Sequence, residues 1–512
     1  MKTDVIIVGA GPSGLALACQ LIRYGIDFVI FDKKQTTTPY SKAIGVQART
    51  LEIYEQIGLA DKLIAEGAIT EKARMIVGGK VRGEIEFGEI GQGLSAYPYV
   101  LIVEQGRHEK ILYDFIKSNG QDVLWNTEIE SILQDDASVT VNIKTADGKI
   151  DIIGAKYLVA CDGAKSFVRH SLGLTFEGST MERMFYVADV EINWKFAHDA
   201  LMVFLMKHNL LAFFPMVGEN RWRIVGTFPE EFSKDEGEVL YEEIEEQIKK
   251  DSEVALDITA VNWFSTYKVH TRHVNKFSVG RCFLAGDSAH IHTPAGAQGM
   301  NTGIQDGYNL AWKLAEILKG KADEKLLETY NEERLPNAET LLKTTDRFFN
   351  LVASPEPITS YLRTHVFPYI AGAAFSMDAV KKFVFPRISQ IAINYRHSSL
   401  SYTNGSFAIK AGDRFPYFEV EGASLYNKLR EPKFHLLTFF DGKNNMPNYT
   451  EILPDEIIDF HTLPLYPNVA ETFGASESFV VLVRPDNYIG FISEDVSGEG
   501  LSKYLSQISV KF

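Results

Sequence analysis

Cysteine is nearly absent: the 512 residues hold three, Cys19, Cys161 and Cys282, with no Cys-x-x-Cys pair. That excludes a disulfide framework and makes a reducing, cytoplasmic setting the expectation. Basic charge is in deficit, 52 Lys and Arg against 67 Asp and Glu for a net charge of −15, so no nucleic-acid partner is expected. Long apolar runs are missing too. The densest stretch, residues 210–217, holds Pro215 and falls far short of the ~18 residues of a membrane span, so no membrane partner is expected either. Lys2 stands before apolar residues, but Asp4 and the following glycines break any secretory signal pattern. There is no internal repeat and no low-complexity tract. What remains is an ordinary globular composition, 45% hydrophobic and 12% aromatic, in a chain long enough for about three domains at roughly 150 residues each.

The chain opens on a βαβ pattern. Residues 4–8 are a β-branched run suited to a buried parallel strand, and Gly9-Ala10-Gly11-Pro12-Ser13-Gly14 follows. Leu15, Ala18, Cys19 and Ile22 then fall at helical spacing, Gly25 stops the helix, and residues 28–31 form a second strand ending at Asp32. Gly9 permits the tight turn, Gly11 lets backbone approach a pyrophosphate, and Gly14 lets helix and strand pack closely. Asp32, about 20 residues on, can accept from ribose hydroxyls. This predicts dinucleotide binding and leaves NAD against FAD open.

Farther along, residues 186–194 alternate apolar and polar positions, and strands are expected at 201–206, 211–216 and 221–228. The acidic stretch 235–251 reads as a solvated helix, and residues 304–319 as a long, mostly buried one ended by Gly320. Residues 354–386 read as bent, packed helices. Arg484-Pro485-Asp486-Asn487 between apolar runs signals a hairpin. Two more segments run from a strand into Asp-Gly or Gly-Asp: residues 157–163, followed by Ser166 and Arg169, and residues 281–290, which lead into Pro294-Ala295-Gly296-Ala297-Gln298-Gly299-Met300-Asn301.

With the glycine motif, an Asp-Gly motif and a Gly-Asp motif in this order, the chain resembles the class A, single-component FAD-dependent aromatic hydroxylases. Residues 41–52 and Gln105-Gly106-Arg107-His108-Glu109 join the match, which spans essentially the whole chain. The resemblance implies an α/β fold: a Rossmann-like FAD-binding domain (1–75, 101–180 and 278–398) interleaved with a β-sheet substrate domain (76–100 and 181–277). Residues 399–512 resemble the thioredoxin-like C-terminal domain of phenol and polyketide hydroxylases, here without any cysteine.

The resemblance also assigns roles. Gly9, Gly11, Pro12, Ser13, Gly14, Asp32 and Lys33 would hold the adenosine and pyrophosphate, with Lys42, Gln105 and Arg107 helping. Asp162, braced by Arg169, would stand on the nicotinamide path. Gly286 and Asp287 would bind the ribityl or pyrophosphate side, and Pro294, Gly299, Met300 and Asn301 would face the flavin ring. Two departures stand out: Lys42 where Arg is common, and Ala297 where a second Gly is usual. The implied reaction is hydroxylation of a phenolic or polycyclic aromatic substrate with NAD(P)H and O2, through a flavin C4a-hydroperoxide. No protein acid or base is required. Phe204, Met206, Phe213, Phe214 and Met216 are apolar candidates for the substrate pocket, and Arg223 or His208 for holding a phenolate or carboxylate. His290-x-His292 lacks further ligands nearby, so no metal is expected. A homodimer is compatible with this reading. The rival is a flavin protein of the same fold with a halogenase-like or redox-sensing role, against which stands the lack of any Trp before Trp125.

Overall fold

The computed structural model describes the chain except residues 40–42, 207–208, 229–238, 294–296, 354–355, 357–358, 360, 367–377, 444–446, 448, 452, 454–455, 509 and 511–512. Lys42, His208 and Pro294 therefore lie outside the described residues.

A six-stranded sheet organises the N-terminal part. The strand Val5–Val8 lies at its centre, parallel to Phe28–Asp32 on one side and to Tyr157–Ala160 on the other. Val123–Trp125 and Cys282–Leu284 extend it. All four residues of the first strand are buried, as a parallel strand covered on both faces requires. The helix Pro12–Tyr24 covers one face and ends on Gly25 in the left-handed region. Against it packs the long helix Gly299–Leu318, buried at every position from Asn301 to Glu316. Their close approach rests on small residues: a side chain at Gly303 would strike Ser13, and one at Gly307 would come within 3.2 Å of Leu17.

The second sheet has eight strands and is mostly antiparallel, with Glu177–Trp194 and Leu256–His273 as its longest members. The expected strands appear as Ala200–Leu205, Leu210–Pro215 and Arg221–Thr227. Strand periodicity sorts their side chains onto two faces. One face carries Met202, Phe204, Leu211, Phe213, Trp222 and Ile224 and is covered by the helix Tyr241–Ser252. The opposite face carries Phe214 and, beside it in register, Arg223.

The C-terminal unit is a five-stranded mixed sheet with the helices Pro467–Phe473 and Glu499–Gln507. Phe479–Val483 and Ile489–Ser493 form the antiparallel hairpin around Arg484-Pro485-Asp486-Asn487. Among the described residues no helix is long and apolar enough to cross a membrane.

Candidate functional site

The glycine turn is built around backbone proximity. Gly9 has φ +103°, and a side chain there would run into the carbonyl of Cys161; one at Gly14 would run into the carbonyl of Gly9. Gly11 differs: a Cβ at this position meets nothing within 4 Å. Gly11 is also the N-cap of the helix Pro12–Tyr24, with no side chain capping it and no acidic residue in the first turn. Uncapped N–H groups at the positive end of a helix facing open space make an anion cradle.

Asp32 braces this cradle. Its Oδ2 accepts from the Ala10 N–H at 2.7 Å and its Oδ1 from the Lys34 N–H at 2.8 Å, and each oxygen keeps a further lone pair for a hydroxyl. Lys33 is exposed next to it. Glu109, which the sequence reading quoted without a role, proves central to the wall of this region. Its Oε2 accepts from the Thr38 N–H at 2.7 Å, while Gln105 donates to its Oε1 at 2.8 Å and accepts from the Ala43 N–H at 3.1 Å. Burial raises the Glu109 carboxyl above its usual range, against the opposing pull of Lys34. Arg107 is turned elsewhere, onto Glu66 at 3.1 Å and Glu104 at 3.0 Å.

Asp162 lies beside Gly9. Its Oδ2 accepts from the Val168 N–H at 3.2 Å, whereas its Oδ1 is buried without a partner. Burial raises this carboxyl too. Arg169 braces the segment by donating to the carbonyls of Ser288 at 3.0 Å and Ala164 at 2.7 Å. The Gly286–Ser288 turn abuts Ser13, and its Gly286 N–H is held at 2.9 Å by Asp306. Asp287 is exposed on that turn. Asp306 also takes His290 at 2.7 Å and Arg334 at 2.7 Å. His290 is thus spent on the architecture of the turn.

At the start of the long helix, Asn301 ties two segments together. Its Oδ1 accepts from the Gln47 N–H and the Thr50 hydroxyl, and its amide donates to the carbonyls of Gly45 and Ala297. Gly299 and Met300 are half-buried just before it. Ala297 holds φ +53°, a left-handed conformation that costs an L-residue roughly 1–2 kcal/mol, which explains why glycine suits this position. Its methyl stands where a Cβ at Gly45 would come within 2.8 Å.

The candidate substrate residues separate by face. Phe204 and Phe213 are buried in, and Met206 packs against, the core under the helix Tyr241–Ser252, so none offers a surface to the cradle side. Phe214 and Met216 lie opposite, grouped with Ile44, Val100 and Ile102. Met216, Ile44, Ile102, Glu104 and Val217 line a small cleft where the large sheet meets the 43–47 segment. Arg223 is buried and grips Asp189 through two hydrogen bonds of 2.6 and 2.7 Å. Alternation was legible in these strands; which face met the cradle was not.

An open, uncapped helix end, a ribose-side carboxylate and an orphaned buried oxygen on Asp162 fit FAD. Comparison with known proteins agrees. The FAD binding domain family matches residues 2–345. A flavin-dependent monooxygenase of Mycobacteroides abscessus is 33% identical over 98% of this chain and 99% of its own length. A 6-methylpretetramide 4-monooxygenase of Streptomyces rimosus is 29% identical over 95% of this chain and 90% of its own. Among solved structures, an anhydrotetracycline hydroxylase of Streptomyces rimosus superposes with a TM-score of 0.77 at 27% identity, covering 99% of each chain. These relatives support the monooxygenase reading and lend nothing to the halogenase-like or redox-sensing rival. The chain belongs to the family of FAD-dependent aromatic monooxygenases.

Proposed function

We propose that the protein hydroxylates an uncharged, fused-ring phenol laid against the Phe214 and Arg223 face of the large sheet, with NAD(P)H and dioxygen as co-substrates. The observation that carries this reading is the chemistry of that face. Toward the cradle it presents Phe214 and Met216, which group with Ile44 and Ile102 of the adjoining segments, and its arginine is already neutralised by Asp189. A buried cation paired in two hydrogen bonds is a poor selector for a carboxylate. An apolar wall suits a large aromatic ring. Two relatives named for a pretetramide and an anhydrotetracycline support a fused-ring substrate over a small phenol.

Bound FAD supplies hydride acceptance and activation of dioxygen. The chain's own residues do the rest. Gly11 and the first turn of the helix Pro12–Tyr24 would receive the pyrophosphate, and Asp32 would receive the ribose. Asp162 would offer its unpartnered oxygen beside the turn, and the N-terminus of the helix Gly299–Leu318 would face the ring. Met216 and Ile44 exclude water from the reacting end. The test is a panel of fused-ring phenols, scored for accelerated NAD(P)H oxidation and for isotope in the product. One oxygen from labelled dioxygen is expected with an accepted substrate. Label arriving from water, or acceleration confined to small carboxylated phenols, would overturn the proposal.

A further inference from the structure

Outside the cofactor site, and among the described residues, three metal-ligating side chains converge in the C-terminal unit: His435, Asp459 and His461. The strand Phe434–Phe440 carries the first, and its parallel neighbour Ile458–Pro464 carries the other two. The register sets His435 opposite Asp459 and Leu437 opposite His461. With a side-chain period of two, all three residues share one face of the sheet.

Their atoms close into a triangle. His435 Nδ1 is 3.3 Å from His461 Nε2 and 3.5 Å from Asp459 Oδ2, and His461 Nε2 is 3.2 Å from the same oxygen. Ligands on a tetrahedral zinc at about 2.0–2.1 Å stand about 3.3 Å apart, so these three atoms have the spacing of one face of such a site.

Hydrogen bonding does not account for the triangle. His435 Nε2 lies 3.1 Å from the carbonyl of Glu431, which fixes its proton there and leaves Nδ1 as a lone pair. Asp459 Oδ2 is an acceptor as well. His461 Nε2 has at most one proton and can satisfy one of the two. The edge between His435 Nδ1 and Asp459 Oδ2 then sets acceptor against acceptor unless a cation sits between them.

We propose that His435, Asp459 and His461 bind one divalent transition-metal ion, zinc by its ligand set, with the fourth position open to solvent beside the partly exposed Asp459. Two imidazoles and one carboxylate favour zinc over calcium or magnesium, which prefer all-oxygen sites. With three protein ligands the site is more open than a closed four-ligand one. The strand Ile458–Pro464 is the edge of its sheet. A metal here staples that edge to its neighbour. Glu431, which orients His435, also accepts from Arg23 of the helix Pro12–Tyr24 at 3.4 Å, so the staple lies beside a contact between the C-terminal unit and the FAD-binding part.

The test uses the full FAD-loaded chain, stripped with a chelator and redialysed against limiting zinc chloride. About one zinc per chain and a zinc-dependent rise in melting temperature are expected. His461→Gln and Asp459→Asn should each weaken zinc binding by more than the about 10- to 100-fold that loss of an outer-shell partner costs, with the flavin absorbance unchanged. Wild-type protein that binds no stoichiometric zinc would overturn the proposal, as would variants that bind it as well as wild type. The wild-type measurement decides alone where a variant fails to fold.

Discussion

The cofactor cradle and the seam behind it use polar groups in opposite ways. At the cradle, helix N–H groups at Gly11 lack a side-chain cap and Asp162 Oδ1 is buried without a partner. At the seam between the long helix and the C-terminal unit, buried charges are densely paired. Arg484 donates to Glu333 at 2.6 and 3.0 Å and to Asp486 at 3.0 and 2.6 Å. Lys313 and Ser398 add bonds of 2.8 Å each to Glu333, and Trp312 donates to Asp486 at 3.1 Å. Across the same seam Arg49 reaches the Asp486 carbonyl at 2.8 Å, and Arg414 reaches Glu52 at 3.1 Å. Burial alone would raise the Glu333 carboxyl, yet Arg484 and Lys313 outweigh it and hold it well below its usual range. The unmet groups of the cradle face open space where a ligand fits, whereas the paired charges of the seam are architecture.

The largest expected effect follows at the seam. Glu333→Ala strands Lys313 and takes from Arg484 one of its two carboxylates, and removing one partner of a buried pair costs about 3–5 kcal/mol. Ending the chain at residue 398 removes Arg484, Asp486 and Arg414 together and should leave no stable soluble protein. Denaturation followed by circular dichroism measures the first, and solubility the second. Whatever Glu333→Ala protein stays folded should bind FAD as wild type does. A FAD affinity lost in step with Glu333 would show that the two regions are one.

Asp32→Ala should act on the other side of the comparison. It removes a carboxylate that orders the glycine turn and to which we assign the ribose. Losing one charge-assisted hydrogen bond costs roughly 1.5–3 kcal/mol, or about ten- to a hundred-fold in FAD affinity. Flavin fluorescence titration reads this directly. An unchanged dissociation constant would place the ribose away from Asp32.

What the sequence revealed divides along the same line. The glycine turn, its strand and helix, and Asp32 were legible because local backbone demands write themselves as Gly and Asp at fixed offsets. The long helix was legible from its periodicity, with its start at Gly299 rather than 304. Long-range pairing was not. Arg484-Pro485-Asp486-Asn487 read as a turn, and its hairpin exists, but its two charges serve Glu333, Trp312 and Asp486 itself. Glu333 is 151 residues from Arg484, and no local pattern announces such a pair. His435 and His461 belong to the same class: they meet only because two strands run parallel in one register. Phe204 lies in the core under the helix Tyr241–Ser252, and alternation could not say so because it names two faces without saying which is covered. Arg107 sits within a recognisable motif, yet Glu66 and Glu104 draw it outward.

The smallest effect is the most discriminating, because it asks which seam charge is dispensable. Lys313 is fully buried, and burial pulls its amine from 10.5 down to about 8, with Glu333 resisting. Arg484 already grips both oxygens of Glu333, so Lys313→Met exchanges a buried cation for an apolar chain of similar shape and leaves no charge unpaired. Stability at pH 7 should hold or rise, in contrast to Glu333→Ala. The sign with pH follows from the lowered amine. Between about 8 and 10.5 the unfolded wild-type chain keeps a proton that the folded chain has released, so this lysine's contribution to stability increases as pH climbs through that window. The contribution is lost as pH falls through about 8, and the methionine variant has no such dependence. Any advantage of Lys313→Met over wild type should therefore shrink from pH 8 to 10.5, a difference that cancels the titration of every other group the two proteins share. Urea denaturation of both across that range measures it. A difference that stays constant would mean that Lys313 keeps its proton throughout, and that Glu333 holds the lysine more firmly than burial repels it.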